Sequence, residues 1–183
     1  MDFETVLKKI IDTFEKNSIN YALIGGFALG LYGVVRATND LDFLIDKKHE
    51  AFLKEFMKQN VYNIIYESKD LIQFEHPRAM LGSIDFLYAF RKPSLEMLKR
   101  AVKKKLFEET INMKVLIPED IIGLKIQAIV NDKKRKILEL EDIKNLIVAN
   151  PNCLDWEIIR SHFALFGLNA LYKELKDGYN AEA

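Results

Sequence analysis

The sequence predicts an α+β (α/β-like) fold, in which helices flank a mixed sheet and a C-terminal helical region follows. Three observations support this prediction. Apolar residues recur at helical spacing over 3–17, short apolar runs alternate with helical patterns up to residue 92, and the pattern after residue 118 is almost wholly helical. A chain of 183 residues is long enough to bury a core without covalent cross-links.

Turn residues divide the first part of the chain into alternating helices and strands. Gly25-Gly26 ends the first predicted strand, Gly33 closes a short helix, and Pro77-Arg78 lies between two strands that a hairpin would join. The predicted helices span 3–17, 27–32 and 47–59, and the predicted strands span 20–24, 41–45, 61–66, 71–75 and 83–90.

The pattern changes near residue 92, and we therefore predict a sheet-rich region over 1–92 and a mostly helical region over 93–183. The second region contains Pro118, which is favoured in the first turn of a helix. Its predicted elements are a helix over 94–102, a small hairpin from 106–107 and 115–117, and helices from 118 to 176 with breaks near 131–132, 150–151 and 167.

The composition indicates a cytoplasmic protein without a global attraction to nucleic acid. Lys plus Arg and Asp plus Glu each number 27, so nucleic-acid binding would need a local basic patch. The single cysteine, Cys153, excludes an intramolecular disulfide, which fits a reducing compartment. Charged residues interrupt the apolar runs of residues 1–17, so no signal peptide is predicted. The uncharged stretch 17–35 contains Asn, Ser, Tyr and four glycines, so it is predicted to be a strand, a turn and a helix and not a membrane span.

Two aspartates on one predicted strand are the clearest indication of chemistry. Asp40 and Asp42 are two residues apart, so their side chains lie on the same face, while Leu41 and Phe43 point into the core. Carboxylates so close repel each other, and a divalent cation would remove that repulsion. The alternative is that Asp40 is a turn residue or a helix cap and that Asp42 lies on a solvated strand face.

Asp85 adds a third carboxylate inside an otherwise apolar strand over 83–88. A carboxylate buried there needs a partner, either a lysine or a metal ion shared with the other two aspartates. If this strand lies beside 41–45, the three acids meet at one place. They would then form a site for Mg²⁺ or Mn²⁺, which are typically bound by carboxylate oxygens and substrate phosphates.

A glycine turn precedes these aspartates and suggests a place for phosphate groups. Gly25 and Gly26 stand at a strand-to-helix turn, where backbone N–H groups can approach an anion closely. Arg36, in the following loop, could hold a triphosphate or pair with Asp42, and Thr38 could cap the entrance to the strand. Phosphate binding beside three carboxylates predicts metal-assisted phosphoryl transfer.

These motifs together resemble the nucleotidyltransferase superfamily that shares the palm of DNA polymerase β. The shared pattern is Gly-Gly, a short helix, Asp-x-Asp and one acid on a later strand. The run R-x-T-x-D-x-D, from Arg36 to Asp42, looks most like the AbiEii-type toxin nucleotidyltransferases and their uncharacterised relatives. The resemblance implies a nucleotidyltransferase fold, with Asp40, Asp42 and Asp85 as metal ligands and catalytic residues.

The resemblance extends more weakly into the second region. Lys125 matches the lysine of an L-x-x-L-K-x-x-A helix and is implied to contact the nucleotide phosphates. Asp142 matches a later acid, and Arg135 or Lys136 roughly matches a basic position. Leu138-Glu139 stands where relatives often have Lys-Asp, so the roles of Glu139 and Asp142 are left open.

The resemblance implies a nucleotidyltransferase that moves a nucleoside monophosphate from an NTP to an acceptor hydroxyl and releases pyrophosphate. The predicted acceptor is RNA, such as tRNA, or a protein, as for the toxin of a toxin–antitoxin pair with its antitoxin partner. By this interpretation 1–92 is the catalytic core, and 93–183 completes the nucleotide and acceptor cleft. The residues predicted to bind the nucleotide are Gly25, Gly26, Arg36, Thr38 and Lys125.

Three alternatives stay open. The chain could be an antibiotic or other small-molecule nucleotidyltransferase, a nucleotidyltransferase-like antitoxin that modifies a partner protein, or a non-catalytic binding module with the same fold. The intact Asp40, Asp42 and Asp85 argue against the last of these.

Overall fold

A mixed sheet of seven strands organises the computed structural model, which describes residues 1–108 and 110–182. Its strands are β1 (Tyr21–Ile24), β2 (Asp40–Asp46), β3 (Asn63–Glu67), β4 (Leu71–Glu75), β5 (Ser83–Ala89), β6 (Val102–Leu106) and β7 (Ile111–Val115). They lie in the order β3-β4-β5-β2-β1-β7-β6. The pairs β2–β5 and β1–β7 are parallel and the other neighbours are antiparallel. The predicted mixed sheet is confirmed.

Helices precede, interrupt and follow these strands. They are α1 (Phe3–Lys16), α2 (Gly25–Gly30), α3 (Glu50–Gln59), α4 (Lys92–Arg100), α5 (Pro118–Asn131), α6 (Lys136–Ala149), α7 (Trp156–Leu165) and α8 (Asn169–Glu182). The predicted breaks near 131–132, 150–151 and 167 separate the last four. The predicted helix over 47–59 is in fact a short 3-10 turn, Lys47–His49, followed by α3.

Aromatic packing between α1 and the sheet determines which way the β2 side chains point. Phe14 of α1 is fully buried, with its ring centroid 5.2 Å from that of Tyr21, 6.3 Å from Phe43 and 6.2 Å from Phe86. Phe43 therefore faces α1. Because side chains alternate along a strand, Asp40 and Asp42 point to the opposite face of the sheet.

The β6–β7 hairpin is longer than the sequence predicts. The predicted strands covered only 106–107 and 115–117, whereas the observed strands pair from Val102 opposite Val115 to Leu106 opposite Ile111. Three consecutive lysines, 103–105, hide the apolar alternation of β6 in the sequence. β6 lies at an edge of the sheet, where lysines are tolerated and discourage pairing with another chain.

Contacts divide the described chain into two compact units. The first contains Met1–Ala28 and Arg36–Leu116, and the second contains Leu29–Val35 and the described residues from Ile117 onward. α4, β6 and β7 thus belong to the unit that contains the rest of the sheet. These bounds differ from the predicted regions 1–92 and 93–183, and the division of function between those regions stays a prediction.

The second unit consists mainly of α5 to α8. Pro118 lies in the first turn of α5, and the Asp155 carboxylate caps α7 by accepting hydrogen bonds from the backbone N–H groups of Glu157 and Ile158. The Asn150 side-chain amide donates to the Tyr32 carbonyl at 3.0 Å and so joins the segment Leu29–Val35 to this unit. Across the described residues, no helix is both long and apolar enough to cross a membrane.

Candidate active site

The register of two central strands brings the three predicted carboxylates together. Asp42 of β2 lies directly opposite Asp85 of β5, and Asp40 lies on the same face of β2. Each of the three residues offers a carboxylate oxygen that lies within 4.8 Å of those of the other two. The side chains are half-buried, so they keep access to solvent. The convergence of Asp40, Asp42 and Asp85 is as the strand pattern predicts, while their catalytic role stays a prediction.

The chemistry of this cluster, which we call the carboxylate triad (Asp40, Asp42 and Asp85), fits a divalent cation. Three carboxylates at this spacing repel one another, and a doubly charged ion would offset the repulsion. Oxygen ligands suit hard cations such as Mg²⁺, Mn²⁺ and Ca²⁺ better than metals that favour sulfur or imidazole. The triad could therefore bind a hard divalent metal, while its donor atoms leave the ion's identity open.

The surroundings of Asp85 act on its carboxyl group in opposite directions. Burial raises the pKa of its carboxyl group, the negative charge of Asp40 raises it further, and a hydrogen bond from Gln73 lowers it. That bond runs from the Gln73 side-chain amide to Oδ2 of Asp85, and Gln73 is the residue of β4 directly opposite Asp85. The raised pKa makes the Asp85 carboxylate a stronger base than an exposed aspartate.

Thr38 holds Asp40 in place. Its hydroxyl donates a hydrogen bond to Oδ1 of Asp40 at 2.6 Å. Gly26 makes room for this contact, because a Cβ at position 26 would lie 2.9 Å from the Thr38 Cβ. Thr38 therefore contacts a triad carboxylate, and its predicted part in nucleotide binding stays a prediction.

Gly25 makes room for Asp42. Its φ is +68°, a left-handed conformation that residues with a side chain rarely adopt. A Cβ at position 25 would lie 1.9 Å from Oδ2 of Asp42 and 2.7 Å from its Cβ. The glycine turn thus has a steric function that its sequence does not reveal, in addition to the predicted contact of its N–H groups with phosphate.

We expect Gly25→Ala to disrupt the triad. The strained backbone should lower the free energy of unfolding by about 1–3 kcal/mol, and the new methyl group should displace the Asp42 carboxylate. Urea unfolding would measure the first effect, and titration with Mn²⁺, followed by the loss of its free EPR signal, would measure the second. Gly30→Ala is a matched control in the same helix, because a Cβ there would meet nothing within 4 Å. Wild-type Mn²⁺ affinity in Gly25→Ala would contradict the steric argument.

The other predicted nucleotide ligands have different surroundings. Arg36 lies in the loop before β2 and is partly buried. Lys125 lies on α5 in the second unit, and its side chain is only 9% exposed. Its ammonium nitrogen is 2.8 Å from Oε2 of Glu139 and 2.6 Å from Oδ2 of Asp142, both on α6. The predicted contacts of Arg36 and Lys125 with phosphates stay predictions.

Glu139, one of the positions left open by the sequence, belongs to a group that we call the buried ion-pair cluster: the buried Lys125, Glu139 and Asp142, with Arg135, whose side chain is 55% exposed. Besides the contact with Lys125, its Oε1 lies 2.5 Å from Nη2 of Arg135. Lys125 and Arg135 together offset the two buried carboxylates, which would otherwise be very unfavourable away from water. These ion pairs thus join α5 to α6, which is a structural function.

Comparison with known proteins shows the family. The sequence profile of the aminoglycoside-2''-adenylyltransferases matches residues 6–115, which is more than half of the chain. The chain belongs to the aminoglycoside-2''-adenylyltransferase family. The protein is therefore a nucleotidyltransferase, and the predicted superfamily is confirmed. The matched segment contains all three residues of the carboxylate triad. A search of curated protein sequences finds no match to the chain.

Solved structures share the fold of this adenylyltransferase-family chain at low sequence identity. The antibiotic-resistance factor ANT(2'')-Ia is 16% identical, with 99% of this chain and 100% of that chain covered and a TM-score of 0.65. A nucleotidyltransferase-like protein from Paracoccidioides brasiliensis is 17% identical, with 98% and 93% covered and a TM-score of 0.59. The lincosamide adenylyltransferase LnuA is 18% identical, with 78% and 95% covered and a TM-score of 0.55. These likenesses confirm the predicted nucleotidyltransferase fold.

Proposed function

We propose that this protein transfers AMP from ATP to a hydroxyl group of a small-molecule acceptor of the aminoglycoside type. The observation that carries the proposal is the carboxylate triad, with oxygens within 4.8 Å of one another, in a chain whose residues 6–115 match the aminoglycoside-2''-adenylyltransferases. ANT(2'')-Ia, which shares the fold, has been solved with adenylyl-2''-tobramycin. This proposal corresponds to one of the alternatives left open by the sequence, with a small molecule in place of RNA or protein as acceptor.

Asp40, Asp42 and Asp85 would hold the divalent metal, which we propose to be Mg²⁺ or Mn²⁺. When bound, such ions activate the attacking hydroxyl and neutralise charge on the leaving pyrophosphate. Asp40 keeps its orientation through the Thr38 hydroxyl. Asp42 occupies the space that Gly25 leaves open. The chain thus positions the ligands on a sheet before any substrate binds.

Asp85 is our candidate for the general base. Burial raises the pKa of its carboxyl group, and the negative charge of Asp40 acts in the same direction. Asp85 would accept the proton of the acceptor hydroxyl as the hydroxyl attacks the α-phosphorus of ATP. The proton then resides on Asp85 while pyrophosphate leaves.

The remaining predicted residues would bind the triphosphate. The backbone N–H groups of Gly25 and Gly26 would donate to phosphate oxygens, and Arg36 would contribute positive charge. We retain Lys125 as a proposed phosphate ligand, although the ion pairs with Glu139 and Asp142 would then have to be shared or exchanged. We place the reaction in the cytoplasm, where ATP is available.

RNA or a protein is a second candidate acceptor. The run from Arg36 to Asp42, R-x-T-x-D-x-D, is the observation that favours it, because this run resembles the AbiEii-type toxin nucleotidyltransferases. In that case the protein would act as a toxin with an antitoxin partner, or as an antitoxin that modifies its partner. The preferred nucleotide could then differ from ATP.

One labelling experiment separates these acceptors. The protein is incubated with each α-³²P-labelled NTP, Mg²⁺, and either a panel of aminoglycosides and lincosamides, total tRNA, or cell extract. Label from ATP in an aminoglycoside, with pyrophosphate released, is the expected result. Label in tRNA or in a protein would instead support the second candidate. If none of the three acceptors is labelled by wild-type protein whose melting curve shows that it is folded, nucleotidyl transfer to these acceptors is contradicted.

We expect Mg²⁺ and ATP together to raise the melting temperature more than the sum of their separate effects. The metal and the triphosphate share ligands, so each completes the binding site of the other. Differential scanning fluorimetry with Mg²⁺, ATP, both or neither would measure the shift. The excess should disappear in Asp40→Ala, which removes one triad carboxylate. Equal stabilisation by ATP with and without a divalent cation would contradict a metal-bridged site.

A further inference from the structure

We propose that Gln73 is a positioning residue that holds Asp85 in its active orientation and so determines how tightly the triad binds its metal. This inference rests on the proposed function of the triad. Gln73 lies outside every motif in the sequence that points to nucleotidyl transfer. It acts on Asp85 from the neighbouring strand and does not itself touch substrate.

The position of Gln73 follows from strand register. On β4, Gln73 is directly opposite Asp85 of β5, so both side chains lie on the same face of the sheet. The Gln73 side-chain amide donates a hydrogen bond to Oδ2 of Asp85. Both residues are half-buried, which shields this bond from competition with water. A side chain on an adjacent rigid strand has little freedom to leave its partner.

Asp85 needs such a partner because of its neighbours. Asp40 and Asp42 offer carboxylate oxygens within 4.8 Å of an Asp85 oxygen, and their charges repel it. Without a partner, the Asp85 side chain would rotate away from the other two carboxylates. The bond from Gln73 fixes Oδ2 and so limits rotation of the Asp85 carboxylate. Gln73 therefore favours a single arrangement of the triad.

The chemical type of residue 73 also matters, because an amide donates a hydrogen bond without adding charge. A lysine or arginine there would hold Asp85 as firmly but would cancel its negative charge and weaken the attraction to a cation. The neighbours of Gln73 on the same face of β4 make no such contact: Leu71 is opposite Leu87, and Glu75 is opposite Ser83. Among the residues of β4, Gln73 is the one opposite a triad carboxylate.

Two substitutions test this role by metal binding and by kinetics. Gln73→Leu removes the donor and keeps the approximate size. Gln73→Glu keeps the shape and replaces the donor by a like charge. At saturating Mg²⁺ we expect both to lower kcat by about 10–100-fold, the usual effect of removing a hydrogen-bond partner from a metal ligand, with the KM for ATP nearly unchanged. Mn²⁺ binding to the protein without substrate, measured by EPR, should weaken in Gln73→Leu.

Glu75→Gln is the matched control, since it changes an exposed residue on the same face of the same strand. It should keep the wild-type kcat and Mn²⁺ affinity. Melting curves show whether each variant folds. If Gln73→Leu does not fold, Gln73→Glu takes its place in the kinetic test. Wild-type kcat and Mn²⁺ affinity in a folded Gln73 variant would overturn the proposal, as would a rise in the KM for ATP with kcat unchanged. The Mn²⁺ measurement needs no acceptor, so it tests Gln73 even if the proposed acceptor is wrong.

Discussion

Asp42→Asn should reduce nucleotidyl transfer by at least about 10³-fold while leaving the fold intact. Removing one charge from the triad removes a metal ligand, and metal ions contribute several kcal/mol to such transition states. The free protein should melt at the same temperature or slightly higher, because Asp42 is repelled by Asp40 and Asp85. Initial rates at saturating Mg²⁺ and melting curves on the same preparation would measure both effects.

Asp46→Asn is the control for this experiment. Asp46 is on the same strand and caps the following 3-10 turn, where its Oδ1 accepts a hydrogen bond from the Lys48 N–H at 3.1 Å. Because Asn caps a helix terminus about as well as Asp does, Asp46→Asn should change stability by less than about 0.5 kcal/mol and leave the transfer rate unchanged. A large drop in the melting temperature of Asp42→Asn would show that Asp42 is structural, and retained transfer would exclude it as a metal ligand.

Lys125→Met should lower the free energy of unfolding by about 3–5 kcal/mol, because it removes the cation that contacts the buried carboxylates of both Glu139 and Asp142. The side chains of Glu139 and Asp142 are only 2% and 6% exposed, so water cannot replace the lysine. Chemical unfolding in urea would measure the loss. Lys136→Met, at an exposed position at the start of α6, should change stability by less than about 0.5 kcal/mol.

A triple variant separates the structural role of Lys125 from its proposed contact with phosphates. Lys125→Met combined with Glu139→Gln and Asp142→Asn removes both buried charges with the lysine, so most of the lost stability should return. If ATP affinity stays low in this stable variant, the proposed phosphate contact is supported. If the affinity for ATP recovers together with the stability, Lys125 affects ATP binding only by stabilising the fold. Wild-type stability of the single variant would contradict the buried ion-pair cluster.

Local pattern predicted the members of the triad, while their meeting depended on the condition that β5 lies beside β2. The alternation of side chains placed Asp40 and Asp42 on one face, and an acid in an apolar strand marked Asp85. The contacts of Gln73 and Thr38 could not be predicted in the same way. The first depends on the register of the β4–β5 hairpin, and the second depends on how the loop before β2 closes. Neither is encoded in the spacing of residues along the chain.

The second unit shows a different limit of sequence patterns. The breaks between its helices were predicted by Asn, Pro and Gly, whereas the burial of Lys125 was not. A lysine on an amphipathic helix is usually exposed, and only the packing of α5 against α6 shows that its partners are buried. The L-x-x-L-K-x-x-A pattern predicted that Lys125 lies on a helix, as it does on α5, but such a pattern carries no information about which charges surround the residue.

The close approach of Gly25 to Asp42 has an evolutionary consequence. A side chain at position 25 is incompatible with the Asp42 carboxylate, since a Cβ there would lie 1.9 Å from Oδ2. The two positions should therefore be inherited as a pair: a lineage that keeps the acid keeps the glycine. In a lineage that loses Asp42, a side chain at position 25 no longer collides with a carboxylate, so the steric part of this constraint is removed. In a library randomised at both positions and selected for activity, glycine at 25 should be recovered together with aspartate at 42, and neither should be enriched alone.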